Sequence, residues 1–266
     1  MINEKIKQAI QETLPLSFGK IGSIEAAHIS RYLIWKNSVN YNPSLFINAG
    51  VYVKDEDDFI EWFNDYIESV KDIDYILQWC AAQGDKYIIE NVWHGEEIFY
   101  KFTDIEPYTH KEDGWHYSLS DKKVLFVSPF SDTVKEQAKK YNKIWNGASI
   151  GEVLTVRSPY SEALTGEPPT RWASKLNKMI DEIRELDFDF ATVGCGGLSL
   201  SVCRFIKSMG KPCVHLGGGN QLLFGIKGKR WDDHELLSKF YNEHWIRPLA
   251  HEVPKNNTLV EGGCYW

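Results

Sequence analysis

The 266-residue chain lacks most of the features that would place it outside the ordinary globular enzymes. Its five cysteines (Cys80, Cys195, Cys203, Cys213, Cys264) are odd in number and contain no C-x-x-C pair, which excludes a disulfide framework and a zinc ribbon and points to a reducing compartment. No stretch of about 18 apolar residues occurs, and the amphipathic opening MINEKIKQAIQETLPL lacks the apolar core of a signal peptide. The expected location is the cytoplasm, with peripheral attachment to the inner membrane face as the closest approach to lipid. Positive charge is also scarce. With 37 acidic and 30 basic side chains the net charge is −7, which excludes a general polyanion binder and removes nucleic acid from the expected partners. Internal repeats and low-complexity tracts are absent, and the Gly/Pro clusters at 166–169 and 217–219 are short. One domain over residues 1–266 is therefore expected. None of the glycine turns continues into G-K-[ST] or completes G-x-G-x-x-G, which argues against a P-loop or nicotinamide enzyme.

What the chain does have is a normal apolar content of 43 % and an excess of rings, 10 Trp, 13 Tyr and 13 Phe. The first predicts a packed core, and the second suits a protein that stacks on bases or sugars as well as filling that core. Apolar spacing predicts helices over 5–14, 23–35 (with Ser23 as N-cap), 57–68, 73–82, 134–145, 171–185 and 198–209. Strands are predicted over 16–21, 123–127, 152–156, 190–193 and 212–216. In the turn SPFSDT, Ser131, Asp132 or Thr133 is the expected cap of the following helix. Strands separated by helical crossovers imply an α/β fold with a mostly parallel, Rossmann-like sheet. Ligands of such sheets bind beyond the carboxyl ends of the strands.

Three glycine-bearing turns fall at those ends: F-G-K-I-G-S-I-E (18–25), V-G-C-G-G (193–197) and H-L-G-G-G-N-Q (215–221). Gly22, Ser23, Gly194, Gly196, Gly217 and Gly218 are candidates for presenting backbone N–H groups to a phosphorylated ligand, although glycines also serve tight turns alone. Ser128 and Thr133, with Gln137 one helical turn on, follow a buried strand and are candidate ribose or phosphate contacts. Gln221 is a candidate for a sugar hydroxyl. Lys229 and Arg230 lie in the one dense basic segment, 227–230, close behind the third turn, and are candidates to neutralise a diphosphate. Glu25 and His215 are the candidate general bases, and Glu25 with His28 three residues on is a candidate acid/base or metal-ligand pair. Trp231, Tyr160 and Trp172 are candidate stacking rings. A methyltransferase using the 194–197 loop is an alternative.

The blocks FGKIGSIE (18–25), VLFVSPFSDTVKEQ (124–137), GCGGLSLSV (194–202), HLGGGNQLLFGIKGKRW (215–231) and the ending VEGGCYW together resemble bacterial GT-D-type glycosyltransferases and their relatives found beside surface-polysaccharide genes. The resemblance extends from about Leu16 to Trp266. It implies a nucleotide-diphosphate sugar donor, typically UDP-linked, and a glycan, lipid-linked saccharide or glycoprotein acceptor. It also implies an F-G-D-G-E segment whose carboxylates handle a divalent cation, Mn²⁺ or Mg²⁺, and the diphosphate. In this chain Glu25 keeps the glutamate while Ser23 stands in place of the aspartate, a loss of one carboxylate that weakens Mg²⁺ or Mn²⁺ binding and leaves Glu25 as base or sugar ligand. A catalytically silent nucleotide-sugar-binding protein of the same fold is the second alternative.

Overall fold

Seven strands form one all-parallel sheet in the order β3-β2-β1-β7-β6-β4-β5. The structure is a computed structural model that describes residues 1–36 and 43–266. In chain order its elements are α1 (Ile2–Glu12), β1 (Ser17–Lys20), α2 (Ser23–Trp35), α3 (Pro43–Ile47), α4 (Glu56–Lys71), β2 (Tyr75–Leu77), α5 (Asp85–Val92), β3 (Glu97–Phe99), β4 (Val124–Ser128), α6 (Ser131–Ala138), α7 (Tyr141–Ile144), β5 (Val153–Arg157), α8 (Glu162–Thr165), α9 (Trp172–Arg184), β6 (Phe190–Val193), α10 (Ser199–Ser208) and β7 (Cys213–His215). The fold is α/β and Rossmann-like. No helix among the described residues is long and apolar enough to cross a membrane.

The continuous apolar strand 124–127 follows from burial on both faces. Leu125 and Val127 join the core shared with α2, α4, α9 and α10, while Val124 and Phe126 point into a second core under α1, α6 and the C-terminal tail. From β1 the chain winds outward through α2 to β2, whereas β4 winds to the opposite edge at β5 before β6 and β7 return beside β1. Reversals of winding direction leave a crevice at the carboxyl ends of the strands.

Two expected elements differ. The segment 73–82 is not a helix. Its apolar residues alternate with period two, Tyr75 and Leu77 entering one core and Ile76 the other, and it pairs in parallel with β1. Asp74 fixes the pairing by accepting hydrogen bonds from the Ser17 amide (2.8 Å) and hydroxyl (3.1 Å). The helix expected over 134–145 is two, α6 and α7, broken at Lys139 and Lys140. Gln137 and Asn242 hold the pieces from outside, Gln137 donating to the carbonyls of Phe224, Gly225 and His244, and Asn242 to those of Lys143 and Ile144. Gln137 is therefore a structural tie, and no ligand contact is available to its amide nitrogen.

The second core also holds a titratable weak point. His116 is 1 % exposed and lies against Tyr117 and Trp145, and burial, with His110 nearby, pushes its pKa down to about 3. Its folded pKa lies below the unfolded one, so its contribution is present above about pH 6.5 and is lost as the pH falls toward 3. Urea titrations between pH 7 and 4 should show stability dropping by up to ~1.4 kcal/mol per pH unit for this one group. His116→Gln should flatten that dependence, whatever it does to stability at pH 7. An unchanged slope would show that His116 does not titrate on unfolding.

Candidate active site

The three glycine turns come together. A cavity of about 460 Å³ at the carboxyl ends of the strands is lined by Gly22, Ser23 and Glu25 after β1, by Gly194 and Gly196 after β6, and by His215, Gly217, Gly218 and Gln221 after β7. Ser128, Tyr160 and Arg230 complete its wall among the residues expected from sequence. The turns also touch one another. A Cβ on Gly194 would lie 2.5 Å from the Gly217 carbonyl oxygen, and one on Gly197 3.3 Å from a Glu25 carboxylate oxygen. Glycine is thus required by close approach between turns as well as by backbone angles.

Glu25 enters the cavity from the first turn of α2, the helix the sequence places at 23–35. The cap residue is Gly22 rather than Ser23, whose hydroxyl makes no capping bond. The Glu25 side chain folds back over Gly22, against the space a Cβ there would occupy. It is 6 % exposed. Burial pushes its pKa up, opposed by a bond to its own backbone amide at the helix start and by the positive charge of Lys20. A raised pKa makes Glu25 a better proton acceptor than an ordinary carboxylate. His215 lies opposite, its Nδ1 3.1 Å from the Val193 carbonyl oxygen. The Gly217 amide donates toward the same Nδ1 at 3.3 Å, so the two contacts call for opposite tautomers of the ring. Burial and then Lys20 push the His215 pKa down to about 3, so it is a neutral hydrogen-bonding group and a weak proton acceptor rather than a second base. His28 turns its Nδ1 to the Ile24 carbonyl at 2.8 Å and does not line the cavity.

Several expected contacts lie elsewhere. Thr133 is fully buried, and its amide and hydroxyl both donate to Glu252. The Asp132 amide donates to the same carboxylate at 2.8 Å, so the start of α6 is filled by the chain itself. Its cap position is Phe130, and none of Ser131, Asp132 or Thr133 caps it by side chain. Lys229 is exposed and donates to the Gly262 carbonyl, outside the cavity wall. Trp231 is 6 % exposed and packs between Gly228 and Tyr265, and Trp172 is 3 % exposed with its indole nitrogen on Asp58. Both rings are core. Of the three candidate stacking rings only Tyr160 faces the cavity, its hydroxyl 2.5 Å from the Glu252 carbonyl. Gln221 lines the wall but donates to the carbonyls of Ile226 (3.2 Å) and Tyr265 (3.1 Å), anchoring the tail.

Sequence reasoning missed Lys20, Tyr265 and Trp266, all of which line the cavity. Lys20 lies inside the first glycine turn, and its place between two glycines was the available signal. Its ammonium sits over the rings of Phe102 (4.3 Å) and Trp79 (5.3 Å). Burial lowers its pKa to about 8, with Glu106 acting in the opposite sense. Arg230 pairs with Glu261 and lies over the Tyr265 ring at 4.8 Å.

The donor set around Glu25 does not fit a divalent cation. Its neighbour in the sequence motif is the hydroxyl of Ser23, the charged group bearing on it is the ammonium of Lys20, and burial already favours its neutral form. Oxygen-ligand sites for Mg²⁺ or Mn²⁺ are built on ionised carboxylates. The one three-member cluster of metal-type side chains among the described residues, Asp132, His251 and Glu252, excludes Glu25. Its two carboxylates are bridged by Arg157 at 2.6 and 3.1 Å.

Comparison of the chain with family models, curated proteins and solved structures finds no significant match.

Proposed function

We propose that the chain is a glycosyltransferase that binds a nucleotide-diphosphate sugar, with UDP as the expected nucleotide, in the cavity at the carboxyl ends of its strands and transfers the sugar to a carbohydrate or glycoconjugate hydroxyl. The observation that carries this reading is the convergence of three glycine turns, far apart in sequence, on one cavity with Lys20 and Arg230 in its wall. Two cations suit a small polyanion, whereas the expected amide donors Gly194 and Gly217 are already taken, by the Val127 carbonyl and by His215 Nδ1; a cavity of 460 Å³ lies within the range of small-molecule sites. The ordered resemblance of the five sequence blocks to GT-D-type enzymes adds the reaction class. Glu25 takes the proton of the acceptor hydroxyl as its oxygen bonds to the anomeric carbon. The bond from that carbon to the diphosphate oxygen breaks with its electrons on the leaving group, and Arg230 faces the resulting charge. Tyr160 and Trp266 form an aromatic wall against which a sugar or base stacks.

Thermal-shift titration against UDP, GDP and CMP sugars and S-adenosylmethionine tests the reading. A rise in melting temperature with a nucleotide sugar, followed by release of free nucleotide when acceptor is added, is the expected result. No response to any nucleotide would overturn it, and a response to S-adenosylmethionine alone would favour a methyltransferase.

A further inference from the structure

In a site whose carboxylates do not suit a metal, the charge that a cation would supply has to come from the chain. Lys20 is the side chain placed to supply it. It leaves the sheet at the end of β1, inside the first glycine turn, and reaches across the cavity to the third. A Cβ on Gly217 would lie 3.2 Å from Lys20 Cε and 3.5 Å from Nζ, so the amine rests on bare backbone of the very turn expected to face phosphate. Among the described residues no carboxylate lies within ion-pair distance of this ammonium, and none of the side-chain hydrogen bonds there involves it; its close partners are the faces of Phe102 and Trp79. Glu25 and Glu106 act on it only at longer range, and Arg230 repels it. The other lysine in the wall, Lys175, is differently placed, fully engaged by Glu162 at 3.0 Å and the Gly50 carbonyl at 2.7 Å. A partly buried ammonium held against rings without an ion-pair partner is poised to gain from an anion. Its surroundings fit an oxyanion, because it lines the cavity beside the Gly217 backbone with no protein carboxylate paired to it.

We propose that Lys20 stands in for the divalent cation: its ammonium binds the diphosphate of the donor and stabilises the departing nucleoside diphosphate, so that transfer proceeds without a metal. The inference rests on the nucleotide-sugar reading and deepens it. In the transfer step the new bond joins the acceptor oxygen to the anomeric carbon, the acceptor's proton passes to Glu25, and the pair from the broken carbon–oxygen bond remains on the β-phosphate. Lys20 and Arg230 face that oxygen as its charge develops, and charge-assisted contacts strengthen with that charge.

Calorimetric titration of UDP into the protein, with excess EDTA and then with Mn²⁺, tests the inference. The expected result is equal affinity in both conditions for the native chain and a loss of roughly 10- to 100-fold for Lys20→Met in EDTA, with Lys20→Arg recovering part of it and Lys229→Met, outside the cavity, without effect. Lys20→Met keeps the methylene stem against Phe102 and Trp79, so the fold should survive. Should it not, protection of the native Lys20 amine from reductive methylation by inorganic pyrophosphate in EDTA, read by peptide mass, is the second measurement. A requirement for Mn²⁺ in native binding, or a Lys20→Met variant that binds UDP as the native chain does, overturns the role of Lys20 while leaving the nucleotide reading intact. Absence of UDP binding in both conditions removes the two together.

Discussion

Replacing Glu252 by alanine should lower the stability of the protein by roughly 3 kcal/mol, read as a shift of the urea midpoint at pH 7, at the lower end of the range for breaking a buried charged pair. Helix α6 begins at a residue with no capping side chain, and its first free amides, those of Asp132 and Thr133, are satisfied by Glu252 from 119 or more residues away. The carboxylate is fully buried and accepts a further bond from the Thr133 hydroxyl and an ion pair from Arg157 at 3.1 Å. Removing it leaves amides at the positive end of a helix without an acceptor, which costs more than the bonds themselves contribute net. Arg157 is half-exposed and regains water, which is why the loss stays at the lower end. Glu252→Gln keeps one acceptor oxygen and the side-chain volume and should recover part of the difference. Asp132→Ala removes only partly exposed ion pairs and should change stability by less than about 1 kcal/mol. The backbone of Glu252 also receives the Tyr160 hydroxyl and the Trp266 indole at 2.5 and 3.1 Å. Faster amide exchange at 160 and over the last residues is therefore expected in Glu252→Ala, and unchanged exchange there would mean that the tail is held by other contacts.

That dependence shows what local sequence patterns carry and what they do not. Strand β4 and helix α9 are legible because their signals are local: an unbroken apolar run in one case and a 3.6-residue apolar spacing over 171–185 in the other. The α/β class and the parallel sheet follow from the alternation of such segments. Strand β2 is misread because three residues are too few to separate period two from a helical turn, and its decisive partner, Ser17 of β1, is 57 residues away. For the site, backbone-based expectations fare best. The glycine turns must end parallel strands, so topology alone brings Gly22, Gly194 and Gly217 to one edge. Side-chain expectations fare worse. Thr133 looks free until Glu252 is folded against it, and the chain contains too many tryptophans for spacing to separate Trp231 and Trp172, which are core, from Trp266, which lines the cavity. Lys20 is isolated only because Phe102 and Trp79, from distant segments, cover it with rings instead of carboxylates.

Glu25→Gln should abolish most turnover while leaving the protein at least as stable as before. As the general base, Glu25 is expected to contribute about 10²- to 10⁴-fold to the rate, and glutamine keeps its shape but takes no proton. UDP affinity should change by no more than a few-fold, since in the proposed reading Lys20 and Arg230, not Glu25, hold the diphosphate. Burial raises the folded pKa of Glu25 above its ordinary value, so the stabilising contribution of its neutral form is present below the unfolded pKa and is lost as the pH rises through the folded one. The raised pKa is thus a cost at neutral pH that glutamine does not incur. The urea midpoint of Glu25→Gln at pH 7 should match or exceed that of the native chain, and the two should converge as the pH is lowered toward 4. Turnover retained in the variant would remove Glu25 as the base. A variant that loses stability together with turnover would instead make Glu25 a structural anchor for the first and second glycine turns, whose Gly22 and Gly197 backbones its carboxylate touches.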